Sequence, residues 1–126
     1  MPDRADRNTS QRRAIREVMD RSEHPLSAPE VRARALGHVP GIGLATVYRN
    51  IRALFESGFL REVVLPGEPS RYERAALPHH HHFHCTACGR VYDVPGCAEG
   101  IAANLKRGFT LRHHELVMYG SCAECS

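Results

Sequence analysis

No apolar run in this chain approaches the roughly 20 residues needed to cross a bilayer, which excludes membrane insertion. The start, Met1-Pro2-Asp3-Arg4-Ala5-Asp6-Arg7, is charged and lacks the apolar centre of a secretory signal. A cytoplasmic protein is therefore expected, one whose cysteines serve as metal thiolates and not as disulfides. Lysine is nearly absent: the seventeen basic residues are sixteen arginines and one lysine. Net charge is only +3, too small a surplus to argue for nucleic acid by itself. Its distribution says more. Residues 1–62 hold eleven basic against eight acidic side chains and residues 63–126 six against six, so the first half carries the whole excess. The length of 126 residues suits one compact domain or two units of roughly 60 residues, each near the lower limit for independent stability and in want of a staple.

What the chain does have is metal-ligand chemistry. His79-His80-His81-His82-Phe83-His84-Cys85-Thr86-Ala87-Cys88 is answered near the C-terminus by Cys122-Ala123-Glu124-Cys125. Two Cys-x-x-Cys pairs, Cys85 with Cys88 and Cys122 with Cys125, supply four thiolates for a closed tetrahedral Zn(II) site, with no open position for catalysis. A redox-active Cys-x-x-Cys would use one pair and leave the other unexplained. Cys97 stands outside both pairs and reads as a buried or bystander thiol. If the histidine run is extended, His80 and His82 point to one face and His79 and His81 to the other, so one strand could serve two metal sites. Interruption by Phe83 and the abutting Cys85 argue against an expression tag.

The first half reads as three helices and a hairpin. Ala14, Ile15, Val18 and Met19 have helical spacing behind Thr9 as N-cap, predicting a helix over residues 9–21. Ser27-Ala28-Pro29-Glu30 is a capping box with proline in the first turn, opening a short helix that Gly37 stops. Leu44, Val47, Tyr48, Ile51, Leu54 and Phe55 recur at three- and four-residue intervals up to Ser57-Gly58. Strands over residues 60–65 and 71–74, joined by Pro66-Gly67-Glu68-Pro69-Ser70, complete a winged helix-turn-helix. Its third helix would enter the major groove of DNA. Ala75-Ala76-Leu77-Pro78 looks like a hinge, giving a winged-helix DNA-binding domain over 1–77 and a metal-binding dimerisation domain over 78–126. For the latter the pattern predicts strands at 80–85 and 90–94, a helix from about 98 to 106 and a strand over 110–119. So small a sheet is expected to pair with a second copy of itself, making a homodimer. The fold class is α+β.

Gly43-Leu44-Ala45-Thr46-Val47-Tyr48-Arg49, His80-x-His82-x-x-Cys85-x-x-Cys88-Gly89 and Tyr119-Gly120-x-Cys122-x-x-Cys125 together resemble the ferric uptake regulator family from Thr9 to Cys125. The resemblance implies a dimeric, metal-dependent transcriptional repressor that binds operator DNA and has no small organic substrate. It implies sensing-metal ligands at His24, Glu73, His80, His82 and Asp93. A further site would take His79, His81 and His114, with Glu99 as the glutamate found in relatives. Tyr48 and Arg49 would face base edges, where tyrosine suits thymine methyls and arginine forks onto guanine. Arg12, Arg13 and Arg52 would meet phosphate or a minor groove.

The sensing set of imidazoles and carboxylates accepts Fe(II), Mn(II), Co(II) or Zn(II). Glu73 stands where some zinc-uptake relatives carry sulfur, which favours iron. Cys97-Ala98-Glu99-Gly100 and Gly108-Phe109-Thr110-Leu111-Arg112-His113 are more similar to zinc-uptake regulators, and Asp93 keeps a peroxide-sensing regulator open. Two other classes are a zinc hydrolase or deaminase, whose His-x-Glu with Pro-Cys-x-x-Cys signature is missing, and a metal-storage protein, which would have no use for a winged helix.

Overall fold

The computed structural model describes residues 4–97 and 100–126. They divide into two compact units between Ala76 and Leu77. The first unit runs α1 (Arg4–Arg21), β1 (Leu26–Ser27), α2 (Ala28–Ala35), α3 (Leu44–Glu56), β2 (Leu60–Val63) and β3 (Arg71–Arg74). Its three strands form an antiparallel sheet in the order β1-β3-β2. The architecture is the winged helix expected from the sequence, with two differences. The first helix begins at Arg4, ahead of any apolar periodicity, and β1 is a two-residue strand that no sequence pattern announces.

Burial explains the helices. Ile15, Val18 and Met19 from α1, Val31 and Ala35 from α2, and Val47, Ile51 and Leu54 from α3 meet in one core with Leu26 and Leu60. Removing side chains such as Ile15 and Ile51 wholly from water contributes on the order of 2 kcal/mol each. The third helix ends where Gly58 takes the left-handed conformation (φ 86°), which costs a glycine nothing sterically.

The capping box of α2 extends beyond its own helix. Glu30 accepts from the Ser27 backbone N–H at 3.1 Å and from the Ser27 hydroxyl at 2.8 Å. The same carboxylate oxygen receives Arg71 Nη1 at 2.5 Å, and the Arg71 side chain is buried. One glutamate thus caps a helix and anchors the wing to it.

The second unit contains β4 (His80–Cys85), β5 (Val91–Pro95), a 3-10 turn (Ile101–Asn104) and β6 (Val117–Gly120), with sheet order β5-β4-β6. β4 pairs antiparallel with β5 and parallel with β6, setting His82 beside Asp93 on one side and beside Val117 on the other. Two expectations are corrected here. Of the helix predicted from about 98 to 106, residues 98–99 lie outside the described residues, and the remainder holds the short 3-10 turn, opened by Gly100 at φ 88°, a conformation no α-helix contains. The strand predicted over 110–119 is confined to Val117–Gly120; on the register His82↔Val117, residues 110–114 fall beyond the start of its parallel partner β4 at His80.

Breaking the Glu30 anchor leaves a half-buried carboxylate and frees the wing. Arg71→Ala is expected to lower the unfolding free energy by about 2 kcal/mol, whereas Arg52→Ala, which removes an exposed pair with Glu56, changes it by less than about 0.5 kcal/mol. Urea denaturation of the two variants checks the contrast, and equal effects would show that Arg71 is no anchor.

Candidate metal centres and nucleic-acid face

The parallel pairing of β4 with β6 decides where the cysteines go. Cys85 is opposite Gly120 at the ends of the two strands, so the turns that follow, Cys85–Cys88 and Cys122–Cys125, face each other. The four sulfurs lie within 4.8 Å of one another. Gly89 closes the first turn at φ 78°, its N–H donating to the Cys85 carbonyl at 2.9 Å. Gly120 is a glycine for space: a Cβ there would meet the Phe83 ring at 3.2 Å.

Cys85 is fully buried, yet its sulfur receives the N–H of Cys122 at 3.3 Å and that of Cys88 at 3.4 Å. These donors hold its thiol down to about 6, the Cys122 N–H contributing most. The Tyr92 hydroxyl lowers Cys122 as well. Cys125 is pushed up to about 12, chiefly by the neighbouring Cys122 sulfur. The surroundings thus favour the thiolate at Cys85 and Cys122 and oppose it at Cys88 and Cys125, and a cation between the four would favour it at all of them. An all-sulfur set of four, preformed and N–H-bonded, fits Zn(II).

On one face of β4, His80 and His82 approach Asp93 of β5. Each Nε2 is 3.5 Å from Asp93 Oδ1, and the two rings are 4.8 Å apart. His80 Nδ1 is 2.7 Å from the Pro78 carbonyl. That oxygen can only accept, so Nδ1 carries the proton and Nε2 keeps its lone pair for a cation, the usual support of a metal-binding imidazole. Glu73 and His24 belong to the first unit. Glu73 is buried on β3 and takes Arg61 at 2.8 Å; His24 precedes β1 in a turn where Ser22 Oγ donates to its carbonyl.

The opposite face gathers His79, His81 and His114. Glu99, expected to complete that set, lies outside the described residues. The fourth donor in place is Cys97, with Sγ 2.9 Å from His114 Nε2 and 3.4 Å from His81 Nε2. The reading of Cys97 as a buried or bystander thiol is thereby corrected: it is exposed and packs against two imidazoles. Its proximity is a product of the turn after β5, which no spacing rule encodes. His81 is buried, and burial together with the charges of His79 and His114 pulls its pKa down, keeping the ring neutral and able to donate a lone pair.

In the first unit, Tyr48 and Arg49 project from the start of α3, with Tyr48 half exposed and Arg49 Nη2 donating to Thr46 Oγ1 at 3.1 Å. Arg49 and Arg12 line one groove of about 450 Å³ together with Arg7 and Asn8, and Arg12 and Arg13 line a second beside Arg16. Arg7 joins this face because α1 begins at Arg4, ahead of the helix predicted over residues 9–21. Arg16 instead lies over the Phe59 ring at 4.2 Å. Arg52 sits apart, paired with Glu56.

A winged helix with arginines on α3, followed by a small sheet bearing sulfur and imidazole clusters, is an arrangement suited to a metal-dependent DNA-binding regulator. The Ferric uptake regulator family model matches residues 4–119, and the chain belongs to that family. It is 36% identical over 124 residues to the peroxide operon regulator of Bacillus subtilis (strain 168), spanning 95% of this chain and 84% of that protein. To the ferric uptake regulation protein of Brucella suis biovar 1 (strain 1330) it is 35% identical over 118 residues, spanning 90% and 82%. A solved structure of a zinc-bound manganese uptake regulator superposes with a TM-score of 0.76 at 28% identity, over 89% of this chain and 87% of that one. No helix among the described residues is long and apolar enough to cross a membrane.

The thiol environments give a pH signature. In the reduced, metal-free protein, thiolate absorbance is expected to begin rising near pH 6, where Cys85 ionises, and to remain incomplete until about pH 12, where Cys125 does. The depressed Cys85 value means that its N–H bonds stabilise the fold at high pH and lose that contribution as pH falls through about 6. A single titration step at the ordinary thiol value would contradict this ordering.

Proposed function

We propose that the protein is a cytoplasmic, homodimeric repressor of metal-uptake genes, binding its operator when a regulatory metal is held by His24, Glu73, His80, His82 and Asp93. The observation that carries this reading is the convergence of His80, His82 and Asp93, with the His80 tautomer set by Pro78. Fe(II) is the favoured regulatory ion, with Zn(II) next and Mn(II) also compatible with nitrogen and oxygen donors. Bound there, the cation supplies a fixed positive centre that three imidazoles and two carboxylates can share. Cys85, Cys88, Cys122 and Cys125 would hold a permanent Zn(II).

The chain's own residues explain how metal and DNA could be coupled. His24 and Glu73 belong to the first unit and His80, His82 and Asp93 to the second, so using all five at once restricts how the two units are arranged. A pair of operator half-sites restricts two reading heads in the same way. By linkage, each ligand then tightens the other, typically by about 1 to 3 kcal/mol. Tyr48 and Arg49 would read base edges, while Arg12, Arg13 and Arg7 would meet the backbone. Arg52 joins them by releasing Glu56, a small cost for an exposed pair. Dimerisation through the second unit is supported by its exposed Leu105, Phe109, Leu111 and Tyr119. The peroxide-sensing alternative draws support from the similarity to the Bacillus subtilis regulator and from Asp93 among the ligands.

Operator affinity followed by anisotropy, with Fe(II), Mn(II) and Zn(II) held at buffered concentrations, tests the reading. Metal binding without any change in DNA affinity would sink it, and metal-activated binding that is lost on peroxide treatment would select the peroxide-sensing form. His82→Ala is expected to abolish activation while leaving one zinc per chain; loss of that zinc would show that the two kinds of site are not separate. Arg49→Ala is expected to cost about 1 to 3 kcal/mol of operator affinity and to relax selectivity at one base pair, read from binding to a panel of single-substituted operators.

A further inference from the structure

We propose that Arg61 is an internal stand-in for the regulatory cation: its guanidinium occupies the Glu73 carboxylate in the metal-free protein and so raises the metal concentration at which the protein loads. The inference rests on the reading of Glu73 as a metal ligand and adds a residue outside that ligand set. Arg61 on β2 and Glu73 on β3 are directly opposed in the antiparallel ladder. Nε and Nη2 of the guanidinium each donate to the same carboxylate oxygen, Oε1, at 2.8 Å. Both residues belong to the first unit.

The partners differ in exposure, and the difference suits exchange. The Glu73 side chain is 3% exposed and that of Arg61 39%. A carboxylate so far out of water is costly without a cation beside it, and Arg61 supplies one. Being part-exposed, the guanidinium can return to solvent when another cation takes its place. In the Glu30 anchor the roles are reversed. There the cation, Arg71, is the buried member at 8% and the carboxylate is the exposed one at 38%, so that pair is a fixture of the fold.

Arg61 and a divalent ion would draw on the same negative charge. Once Glu73 ligates an ion, its carboxylate has less charge to offer Arg61, and the guanidinium stands beside a like charge. Linkage makes the effect reciprocal: whatever the ion costs Arg61, Arg61 costs the ion. An ion pair that served only to orient Glu73 would act with the opposite sign, its loss weakening metal binding. Arg61 thus holds the affinity below what the ligands alone would give, which a sensor needs if it is to empty when supply falls.

The sign of the change decides the matter. Mn(II) is titrated at buffered concentrations into the full-length protein with its four-cysteine site loaded with zinc, the free ion is followed by electron paramagnetic resonance, and only binding that His82→Ala removes is counted. Arg61→Gln, which keeps a hydrogen-bond donor without the charge, is expected to bind Mn(II) roughly tenfold more tightly and, without Mn(II), to unfold at lower urea. Arg61→Lys restores the charge and should move both values back towards the native ones. Glu73→Gln should weaken binding, and in that background Arg61→Gln should add no tightening. Because Arg61 is part-exposed, its variants are expected to fold, which unchanged circular dichroism and zinc content would register. A merely structural ion pair would lose stability without gaining affinity. Weaker or unchanged binding in Arg61→Gln, with Glu73→Gln still weakened, overturns the proposal and leaves Glu73 a ligand. Unchanged binding in Glu73→Gln removes the ligand reading and the proposal together.

Discussion

The pleat of β4 is the constraint on which the second unit depends. In a strand, neighbouring side chains leave on opposite faces, and five of the six residues of β4 are histidine or cysteine. Alternation therefore sorts one short stretch of ligands into three destinations. His80 and His82 go to one face, where Asp93 waits on the paired strand; His81 goes to the other with His79 and His114; Cys85 closes the strand at its buried end. A slip of one residue in the pairing with β5 would exchange the two faces and separate each imidazole from its partners.

The two units are stabilised by different means. The first has an apolar core fed by three helices and two strands. In the second, the buried apolar residues among those described are Cys85, Val91 and Cys122, accompanied by the buried histidines His81 and His84. A unit so poor in buried hydrocarbon has little to set against the entropy of ordering its chain. Sulfur and imidazole are the resources it holds. The same residues that would sense a metal thus also bear on whether the unit is ordered.

Legibility in the sequence followed the locality of the signal. The α2 capping box is four consecutive residues, and the structure shows both of its hydrogen bonds; α3 begins and ends where its apolar period does; β3 and β4 have the bounds their patterns predict. Features set by distant partners were harder. β1 is a strand only because Leu26 and Ser27 meet Tyr72 and Arg71. Leu111 and His113 look like strand residues, but β4 does not reach them. Arg7 lies on α1 through a charged stretch without apolar rhythm. The exposed place of Cys97 was not legible because it depends on a turn that returns it to His81 and His114, some sixteen residues away in sequence on either side. The cysteine pairs were legible because spacing within each pair is itself a local signal.

The parallel pairing of β4 with β6 has a consequence for how the chain acquires its structure. Cys85 and Cys122 are 37 residues apart, and strands in parallel cannot be joined by a tight turn, so a long loop must close before either cysteine pair finds the other. Packing between helices in the first unit needs shorter closures and is the faster kind of event. During synthesis the first unit also leaves the ribosome first. The cysteine pairs thus depend on a long-range closure, as does the wing, whose strand β3 returns to Leu26 across more than forty residues.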